Sequence, residues 1–271
     1  MNLSVIILIK NNQDVIGPCL ESIAWADEVV LVDTGSTDRT LEIAKKAVAD
    51  SKLKIVQSQL KEIDFSAWRN LGMKKAQGDW LLYLDSDERV NKELKEEIKS
   101  IIRGKSSLAS AYRLPRENYY FGRRVKHGGS WPDYVTRLFK KEALKGWQGI
   151  IHESPRFKGE LGILAKPLIH LAHRNIISGL KKSLQWTKLE AELFYQADHP
   201  AVAWWRLVKV SLAELCRRLI ILQGWRDGTI GLIEAIVQAF NRFMVYVQLW
   251  EKQQQPCLEK KYQQIEEEIK E

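Results

Sequence analysis

Apolar runs of strand length alternate with amphipathic stretches over the first third of the chain. The first run, Leu3–Ile9, is continuous and rich in β-branched residues, which is typical of a parallel strand buried on both faces. Further strands are predicted at residues 28–32 and 80–84, with a shorter one at residues 54–57. Between them, the pattern predicts helices over residues 15–24, 36–49 and 65–76, with Ser36 as the N-cap of the second helix.

This alternation of strands and helices predicts an α/β fold with a parallel, doubly wound sheet. Ligands of such sheets bind at the carboxyl ends of the strands. Asp33 directly follows the second predicted strand, and Asp85 follows the fourth. We therefore expect a functional site at this edge of the sheet.

The rest of the chain follows two other patterns. Residues 93–103 predict a polar helix, and residues 111–157 are rich in aromatic residues and contain the Gly128-Gly129 pair, which predicts mixed strands and long loops. From Ile176 onward the pattern is helical. The predicted organisation is an α/β domain over residues 1–175 followed by a helical region over residues 176–271.

The charge balance of the chain is basic. Lys and Arg number 42 against 34 Asp and Glu, a formal net charge of +8, which suits a nucleic acid, a phosphorylated small molecule or an acidic membrane surface. The three cysteines are scattered and form no CxxC pair, which is typical of a reducing compartment. The apolar N-terminal run lacks a basic segment before it and a small-residue cleavage site after it, so we expect a cytoplasmic protein.

The triplet Asp85-Ser86-Asp87 carries the most direct chemical signal. It follows an apolar strand immediately, so its two carboxylates are expected at a strand end, where they can hold Mg²⁺ or Mn²⁺ together with diphosphate oxygens and water. Asp and Ser also favour helix N-caps and turns. The triplet alone leaves both interpretations open.

Four segments of the chain resemble family 2 glycosyltransferases of the GT-A fold, in the order and at the spacing usual for that family. They are LSVIILIKN, ADEVVLVDTGSTDRT, FSAWRNLGMKKAQGDW and LLYLDSDERV. The resemblance implies a Rossmann-like nucleotide-diphospho-sugar transferase domain. It departs from the family at Leu8, where proline is common, and at Asn12, where an acidic residue is common.

The resemblance is closest to the subgroup that adds glucose to heptose in the lipopolysaccharide inner core, a β-1,4-glucosyltransferase activity. The Lys10-Asn11 pair, the segments WADE and DTGSTDRT, and the later GWQGIIHE segment carry this likeness. It implies that Lys10 and Asn11 belong to the donor site. The implied activity is transfer of glucose from a UDP-linked donor.

Four further positions take their roles from the same resemblance. Asp33 would contact the uracil or ribose of the donor, and Arg69 would lie against the base or the diphosphate, which a guanidinium recognises in a bidentate manner. Asp87 would ligate the metal, and Asp85 would lie beside it, facing the ribose or a metal-bound water. A turn cap before Gly35 is the structural alternative for Asp33.

Inverting transfer needs a base that deprotonates the acceptor hydroxyl, and a carboxylate is the usual choice. Glu153 occupies the position of the subgroup's His-Glu pair, so we assign it as the base, with His152 orienting it or touching the donor phosphate. A surface loop position is the alternative for Glu153. Asp133 is the second candidate base, and Arg137 is a candidate for neutralising the leaving diphosphate.

Two histidines, His170 and His173, have a spacing that occurs in transition-metal sites. With Asp87 they could in principle form such a site. Their apolar neighbours favour packing or hydrogen-bonding roles instead.

The C-terminal helices raise the question of a membrane. No uncharged run there reaches the roughly 20 residues of a spanning helix, so we predict no crossing. From Ile230 onward, polar residues on one helical face leave a wide apolar arc that can pack on the α/β domain or lie in a lipid interface beside Arg217 and Arg218. The polar face and the arc comprise Glu234, Gln238, Asn241 and Gln248, and Ile233, Ile236, Val237, Phe240, Phe243, Met244 and Val247.

The sequence therefore predicts a metal-dependent inverting glycosyltransferase acting on a hydroxyl of a lipopolysaccharide core or another glycolipid. The alternative is a catalytically silent protein that binds nucleotide sugars or nucleic acid. Lys and Arg are spread over the whole chain, which argues against nucleic acid. The glycine- and lysine-rich start typical of nucleotidyltransferases does not occur, and the absence of GxxxxGK[ST] and GxGxxG argues against ATPases and dinucleotide enzymes.

Overall fold

The computed structural model describes residues 2–60, 62–104, 109–150 and 153–270. The chain forms two compact units, one of Met1–Tyr119 and Trp131–Ala172 and the other of Tyr120–Ser130 and His173–Glu271. Residues 120–130, expected in the α/β domain, thus group with the helices. The functional division into residues 1–175 and 176–271 stays a prediction.

The first part of a mixed sheet consists of four parallel strands: β1 (Leu3–Ile9), β2 (Glu28–Asp33), β3 (Leu53–Gln57) and β4 (Trp80–Asp85). Their spatial order is β3-β2-β1-β4. Leu8 of β1 lies in register with Val32 of β2 on one side and with Asp85 of β4 on the other. The predicted parallel sheet is therefore confirmed for these four strands.

Helices cover both faces of these strands because successive side chains of a strand point to opposite sides. One cluster joins Ile7 and its face of the sheet to the first, second and fourth helices. The other joins Ile6 and Tyr83 to the third helix and to Trp147. The helices are α1 (Ile16–Ser22), α2 (Thr40–Ala47), α3 (Phe65–Lys75) and α4 (Lys92–Arg103).

The prediction that Ser36 caps the second helix is wrong. α2 begins four residues later, at Thr40. Asp38 accepts hydrogen bonds from the backbone N–H and the hydroxyl of Thr40, which fixes the loop in a turn up to that point. The Ser36 hydroxyl instead donates to Asp33 Oδ1 at 2.6 Å.

The strands beyond β4 are β5 (Glu88–Arg89), β6 (Ala109–Tyr120), β7 (Arg123–Arg124), β8 (Asp133–Lys140), β9 (Leu144–Gln148), β10 (Ser154–Phe157), β11 (Glu160–Ile163) and β12 (Leu168–His173). The sheet continues with antiparallel pairing of β4 with β8 and of β8 with β6. The order from β4 is β8-β6-β12-β5, and a separate pair is formed by β9 and β10.

The second unit is mainly helical. Its small core contains Ala191, Val202, Val245 and Leu249. Ion pairs join its first and third long helices, between Arg242 and Glu190 and between Lys252 and Glu192. The helices are α5 (Ile176–Gln196), α6 (Trp204–Cys216), α7 (Gly228–Lys252) and α8 (Leu258–Glu268), with a π-helical turn at Arg217–Ile221 and a 3₁₀ turn at Gly224–Asp227.

The stretch Gly224–Lys252 is, by length and composition, apolar enough to cross a membrane, a property that core helices of soluble proteins share. Glu234 is buried and hydrogen-bonded to Gln238, so the polar face turns partly inward. Ile236 and Phe240 of the predicted apolar arc are exposed. The absence of a crossing helix stays a prediction.

Candidate active site

Asp33 and Asp85 lie at the carboxyl ends of the parallel strands β2 and β4, as predicted. Asp33 pairs in register with Ile9 and Asp85 with Leu8. Because β1 lies between β2 and β4, the two Cα atoms are separated by two strand spacings, roughly 10 Å. The two carboxylates therefore share one edge of the sheet.

Arg69 connects two of the predicted site residues. Its Nε donates to Glu153 Oε1 at 2.8 Å, and its Nη2 donates to Asp85 Oδ1 at 3.1 Å. The guanidinium carbon lies 4.9 Å from the centroid of the Trp147 ring, and only 5% of the side chain is exposed. One buried cation therefore holds the predicted base next to the acidic triplet.

The remaining nitrogen of this guanidinium has spare hydrogen-bonding capacity. Nη1 of Arg69 is buried and has no hydrogen-bond partner among the residues that the structure describes. Nε of Arg137 is likewise buried and lacks a partner among these residues. A buried donor without a partner costs about 1–3 kcal/mol. An anion such as a phosphate group bound beside Arg69 would satisfy this donor.

A second guanidinium holds Asp85 from the other side. Arg137 Nη2 donates to Asp85 Oδ2 at 2.5 Å and to Glu88 Oε1 at 3.2 Å. Glu88 is fully buried and accepts the backbone N–H of Asp85 at 2.9 Å. Burial alone would raise the pKa of Asp85, but Arg137 and Arg69 hold that pKa well below its ordinary value. The carboxylate is therefore ionised.

Asp133, the second candidate base, belongs to the same network. It accepts from Arg116 Nε at 2.8 Å and from Asn118 Nδ2 at 3.1 Å. Arg116 also lies 3.4 Å from Glu88. The acidic groups around Asp85 and Asp133 are thus connected through buried or half-buried arginines.

Asp87 lies beside His170, with 3.6 Å between Asp87 Oδ1 and His170 Nε2. The other ring nitrogen, Nδ1, is 2.6 Å from Asn118 Oδ1. Because an amide oxygen only accepts, Nδ1 donates to Asn118, and Nε2 is the ring nitrogen that faces Asp87. This is the arrangement in which a hydrogen-bonded histidine serves as a metal ligand.

The residues present fit a divalent cation. A carboxylate and an imidazole together suit Mn²⁺, and both side chains are largely buried. Within the described part of the chain, no group of three or more His, Cys, Asp or Glu could hold a metal. A bound cation would therefore complete its coordination with ligand oxygens and water.

His173 does not join this pair. Residues three apart on a strand point to opposite faces, and His173 contacts the rings of Tyr120 and Phe121. The combined site of both histidines with Asp87, disfavoured by the sequence pattern, is not found among the described residues. His170 nevertheless lies at the acidic triplet.

The loops after β1 and β2 form a separate group. Asp33 is buried and accepts from the backbone N–H and the hydroxyl of Ser36, so it caps the turn, as its structural alternative anticipated. Asn11 has a left-handed backbone, with φ of 52°, and accepts the N–H of Thr37 at 2.8 Å. Lys10 is exposed in the same loop. Their contacts with a nucleotide stay predictions.

The structure thus brings most of the predicted site residues into one network, and the first loops into another. His152 lies outside the described residues. Direct contacts join Arg69, Asp85, Arg137 and Glu153. Asp87 and Asp133 are linked to this network through other side chains. The separate loop group comprises Lys10, Asn11 and Asp33.

Sequence reasoning missed the side chains that connect these positions. Glu88 directly follows the triplet, and Arg116 and Asn118 are two apart on β6, a spacing that puts both on one face of the strand. His170 lies opposite Glu88 in the pairing of β12 with β5. The alternation on β6 is visible in the sequence, whereas the pairing of β5 with β12 is a long-range contact.

Comparison with known proteins gives a family and a fold. Residues 4–159 match the profile of Glycosyl transferase family 2. The lipopolysaccharide core biosynthesis glycosyltransferase LpsC of Rhizobium meliloti is 23% identical over 258 residues, which is 92% of this chain and 92% of that protein.

Two solved structures share the fold. The mannosyltransferase PcManGT from Pyrobaculum calidifontis, in complex with GDP-Man and Mn²⁺, has a TM-score of 0.54 at 13% identity, covering 93% of this chain and 88% of its own. S. aureus TarS 1–349 in complex with UDP-GlcNAc has a TM-score of 0.50 at 17% identity, covering 93% and 90%. The predicted GT-A fold with C-terminal helices is confirmed.

Proposed function

The chain belongs to glycosyltransferase family 2, and from this premise we propose that it transfers glucose from UDP-glucose to a hydroxyl of a lipopolysaccharide core or another glycolipid, with inversion at the anomeric carbon. The observation that carries the proposal is the bridge of Arg69 between Glu153 and Asp85 at the carboxyl ends of the parallel strands. The proposed catalytic domain is residues 1–175.

The donor is proposed to bind along the strand ends. Asp33, Lys10 and Asn11 would hold the nucleoside, and Arg69 would hold the diphosphate through its free Nη1 donor. Arg137, already paired with Asp85, would stabilise the leaving diphosphate as charge develops on it. The UDP-GlcNAc complex of a protein with this fold supports a UDP-linked donor.

Asp87 and His170 are the proposed ligands of Mn²⁺ or Mg²⁺, with Asp85 oriented beside them by its two arginines. When bound, the cation neutralises charge on the diphosphate. Both oxygens of Asp85 already accept from guanidinium groups, which favours Asp87 over Asp85 as the direct ligand. The Mn²⁺ complex of PcManGT supports the choice of metal.

Glu153 is the proposed base. The acceptor oxygen forms a bond to the anomeric carbon while the bond from that carbon to the phosphate oxygen breaks, and the diphosphate leaves with the electron pair. Glu153 takes the proton of the acceptor hydroxyl. Arg69 fixes the orientation of the carboxylate, with His152 as a further orienting group and Asp133 as the second candidate base.

The proposed acceptor is a hydroxyl of a lipopolysaccharide core or another glycolipid. The likeness to LpsC supports a lipopolysaccharide core acceptor. A lipid-linked acceptor requires access to a membrane, so we place the protein in the cytoplasm, peripherally on the inner face of the cytoplasmic membrane. The basic net charge of +8 suits such an acidic surface.

Nucleotide release from a panel of UDP, GDP and dTDP sugars tests the function, with lipid-linked core acceptor, and with EDTA or added Mn²⁺. We expect UDP release to be fastest with UDP-glucose, to cease in EDTA and to return with Mn²⁺. A protein that neither binds nor cleaves any nucleotide sugar would contradict the proposal. Donor binding without turnover, or salt-dependent RNA binding without transfer, would favour the silent binding protein instead.

A further inference from the structure

An exposed apolar surface lies on α6 and the two turns that follow it. α6 has no buried residue, although it packs against α7. We define the α6 face as the exposed apolar side chains from residue 204 to residue 225. They are Trp204, Trp205, Val208, Leu212, Ile220, Ile221 and Trp225.

The α6 face is continuous along the helix. Trp204, Val208, Leu212 and Ile220 are spaced by multiples of four residues, so they lie along one side, which the π-helical turn prolongs. Trp204 is 79% exposed and Ile221 is 73% exposed. A surface helix of a globular protein normally turns its apolar side toward the core. The exposed apolar side of α6 therefore indicates a surface that a membrane or another molecule covers.

Basic side chains accompany the α6 face. Residues 204–226 contain five basic residues and one acidic residue, Glu214, which is already paired with Arg217 and Arg218. Arg206 and Lys209 lie 5.5 and 5.8 Å from the ring of Trp205. Tryptophan and basic residues together are typical of helices that lie in the headgroup region of an anionic bilayer.

We propose that the α6 face docks the protein on an anionic lipid bilayer, with α6 lying in the plane of the interface. α6 has 13 residues, fewer than the roughly 20 of a spanning helix. The excess of positive charge disfavours a second copy of the same face and attracts acidic headgroups. The surface lies on α6 and its turns, whereas the sequence pattern indicated the arc of α7. The inference stands without the proposed sugar or acceptor.

Flotation of the full chain with vesicles tests this inference, using phosphatidylcholine alone and phosphatidylcholine mixed with phosphatidylglycerol. We expect binding to the mixed vesicles only. The combined substitution Trp204→Ser, Ile220→Ser and Trp225→Ser should reduce partitioning by at least about tenfold, because each side chain loses its buried apolar area. Lys209→Gln should reduce it by about fivefold, the effect of one basic residue near an anionic surface.

The matched control is Ile265→Ser with Ile269→Ser on and beside α8, where both side chains are exposed but the helix is rich in acidic residues. This control should float like the unmodified chain, and all variants should retain donor cleavage in solution. Equal flotation of the α6 variant and the unmodified chain would overturn the inference. So would vesicle-independent dimers, detected by light scattering, that the α6 variant abolishes.

Discussion

Arg69 decides how the individual side chains of the site are arranged. Its charge is shared between Glu153 and Asp85, and the faces of Trp147 and Tyr83 lie 4.9 and 5.8 Å from its central carbon. A guanidinium held on so many sides loses little freedom when a ligand binds. It is therefore suited to orient a base and receive a diphosphate at the same time.

The first prediction concerns Glu153. Glu153→Gln keeps an oxygen that accepts from Arg69 but removes the basic carboxylate, so kcat should fall by about 10²- to 10⁴-fold while donor affinity is retained. Steady-state kinetics and calorimetry with the donor check this. The control Glu160→Gln, an exposed glutamate on β11, should behave like the unmodified chain. An equal loss of donor affinity and turnover in Glu153→Gln would refute the role of base.

The second prediction separates the two histidines of β12. His170→Ala removes the imidazole beside Asp87, so the Mn²⁺ concentration for half-maximal activity should rise by at least about tenfold. His173→Ala, which removes the ring contacts with Tyr120 and Phe121, should leave that concentration unchanged. A metal titration of activity for both variants gives the answer. Identical titration curves would remove His170 from the metal site.

A site residue could be predicted from the sequence where its immediate neighbours in the chain indicate its position in the fold. Asp33 and Asp85 stand directly after apolar runs, and Asp87 follows Asp85 by two residues. Arg69 and Glu153 were predicted from the family resemblance. Glu88, Arg116, Asn118 and His170 were not predictable in this way, because their roles come from strand pairings across more than 25 residues.

At the scale of elements, the fit of α3 against the sheet sets the position of Arg69. A Cβ on Gly72 would lie 2.5 Å from Ile6 Cγ2 and 3.1 Å from Val32 Cγ2. The helix therefore approaches β1 and β2 more closely than any larger residue allows. Asp64 caps the same helix by accepting the N–H of Ala67 at 2.8 Å.

The third prediction follows from that close approach. Gly72→Ala should lower the free energy of unfolding by about 1–3 kcal/mol and weaken donor binding, because overpacking pushes α3 and Arg69 off the sheet. Gly17→Ala in α1 meets only Ile43 at 3.4 Å, so it should be neutral or stabilising by up to about 1 kcal/mol. Urea unfolding of both variants compares them. A stable Gly72→Ala variant with normal donor affinity would show that the helix position is not so constrained.

The elements with strong periodicity were predicted well. β1, β2 and β4 contain continuous apolar runs and β3 a shorter one, and the positions of all four are confirmed within a residue. The start of α2 was misplaced because Asp38 and Thr40 compete with Ser36 for the capping role. The exposure of the α6 face was not predictable, because an apolar helix face has the same sequence pattern whether protein or a lipid bilayer covers it.

At the scale of the whole molecule, acidic groups in both units are held ionised by arginines. The pKa of Asp85 lies below its usual range, since Arg137 and Arg69 outweigh burial. The hydrogen bond from Arg217 lowers the pKa of Glu214 to about 2. Burial acts in the opposite direction, and Arg218 lowers this pKa further. In the unfolded chain, Asp and Glu side chains have pKa values of about 3.9 and 4.3.

The fourth prediction is the resulting dependence of stability on pH. Folded pKa values below the unfolded ones add stability that is complete above about pH 5 and is lost as the pH falls toward about 2. Urea midpoints measured by circular dichroism should therefore drop on acidification in this window. Glu214→Gln should lower the midpoint at neutral pH and flatten part of the acid decline. A midpoint that rises on acidification would contradict these charge assignments.

The central claim is that the carboxyl ends of β1, β2 and β4 hold a nucleotide diphosphate through Arg69 and a cation at Asp87. Calorimetric titration of UDP into the full chain tests it most directly, with Mn²⁺, with EDTA, and with Mn²⁺ for Asp87→Asn. We predict that UDP binds with Mn²⁺, and that its affinity falls by at least about tenfold in EDTA and in the variant. Equal affinity under all three conditions, or no binding under any, would contradict the account.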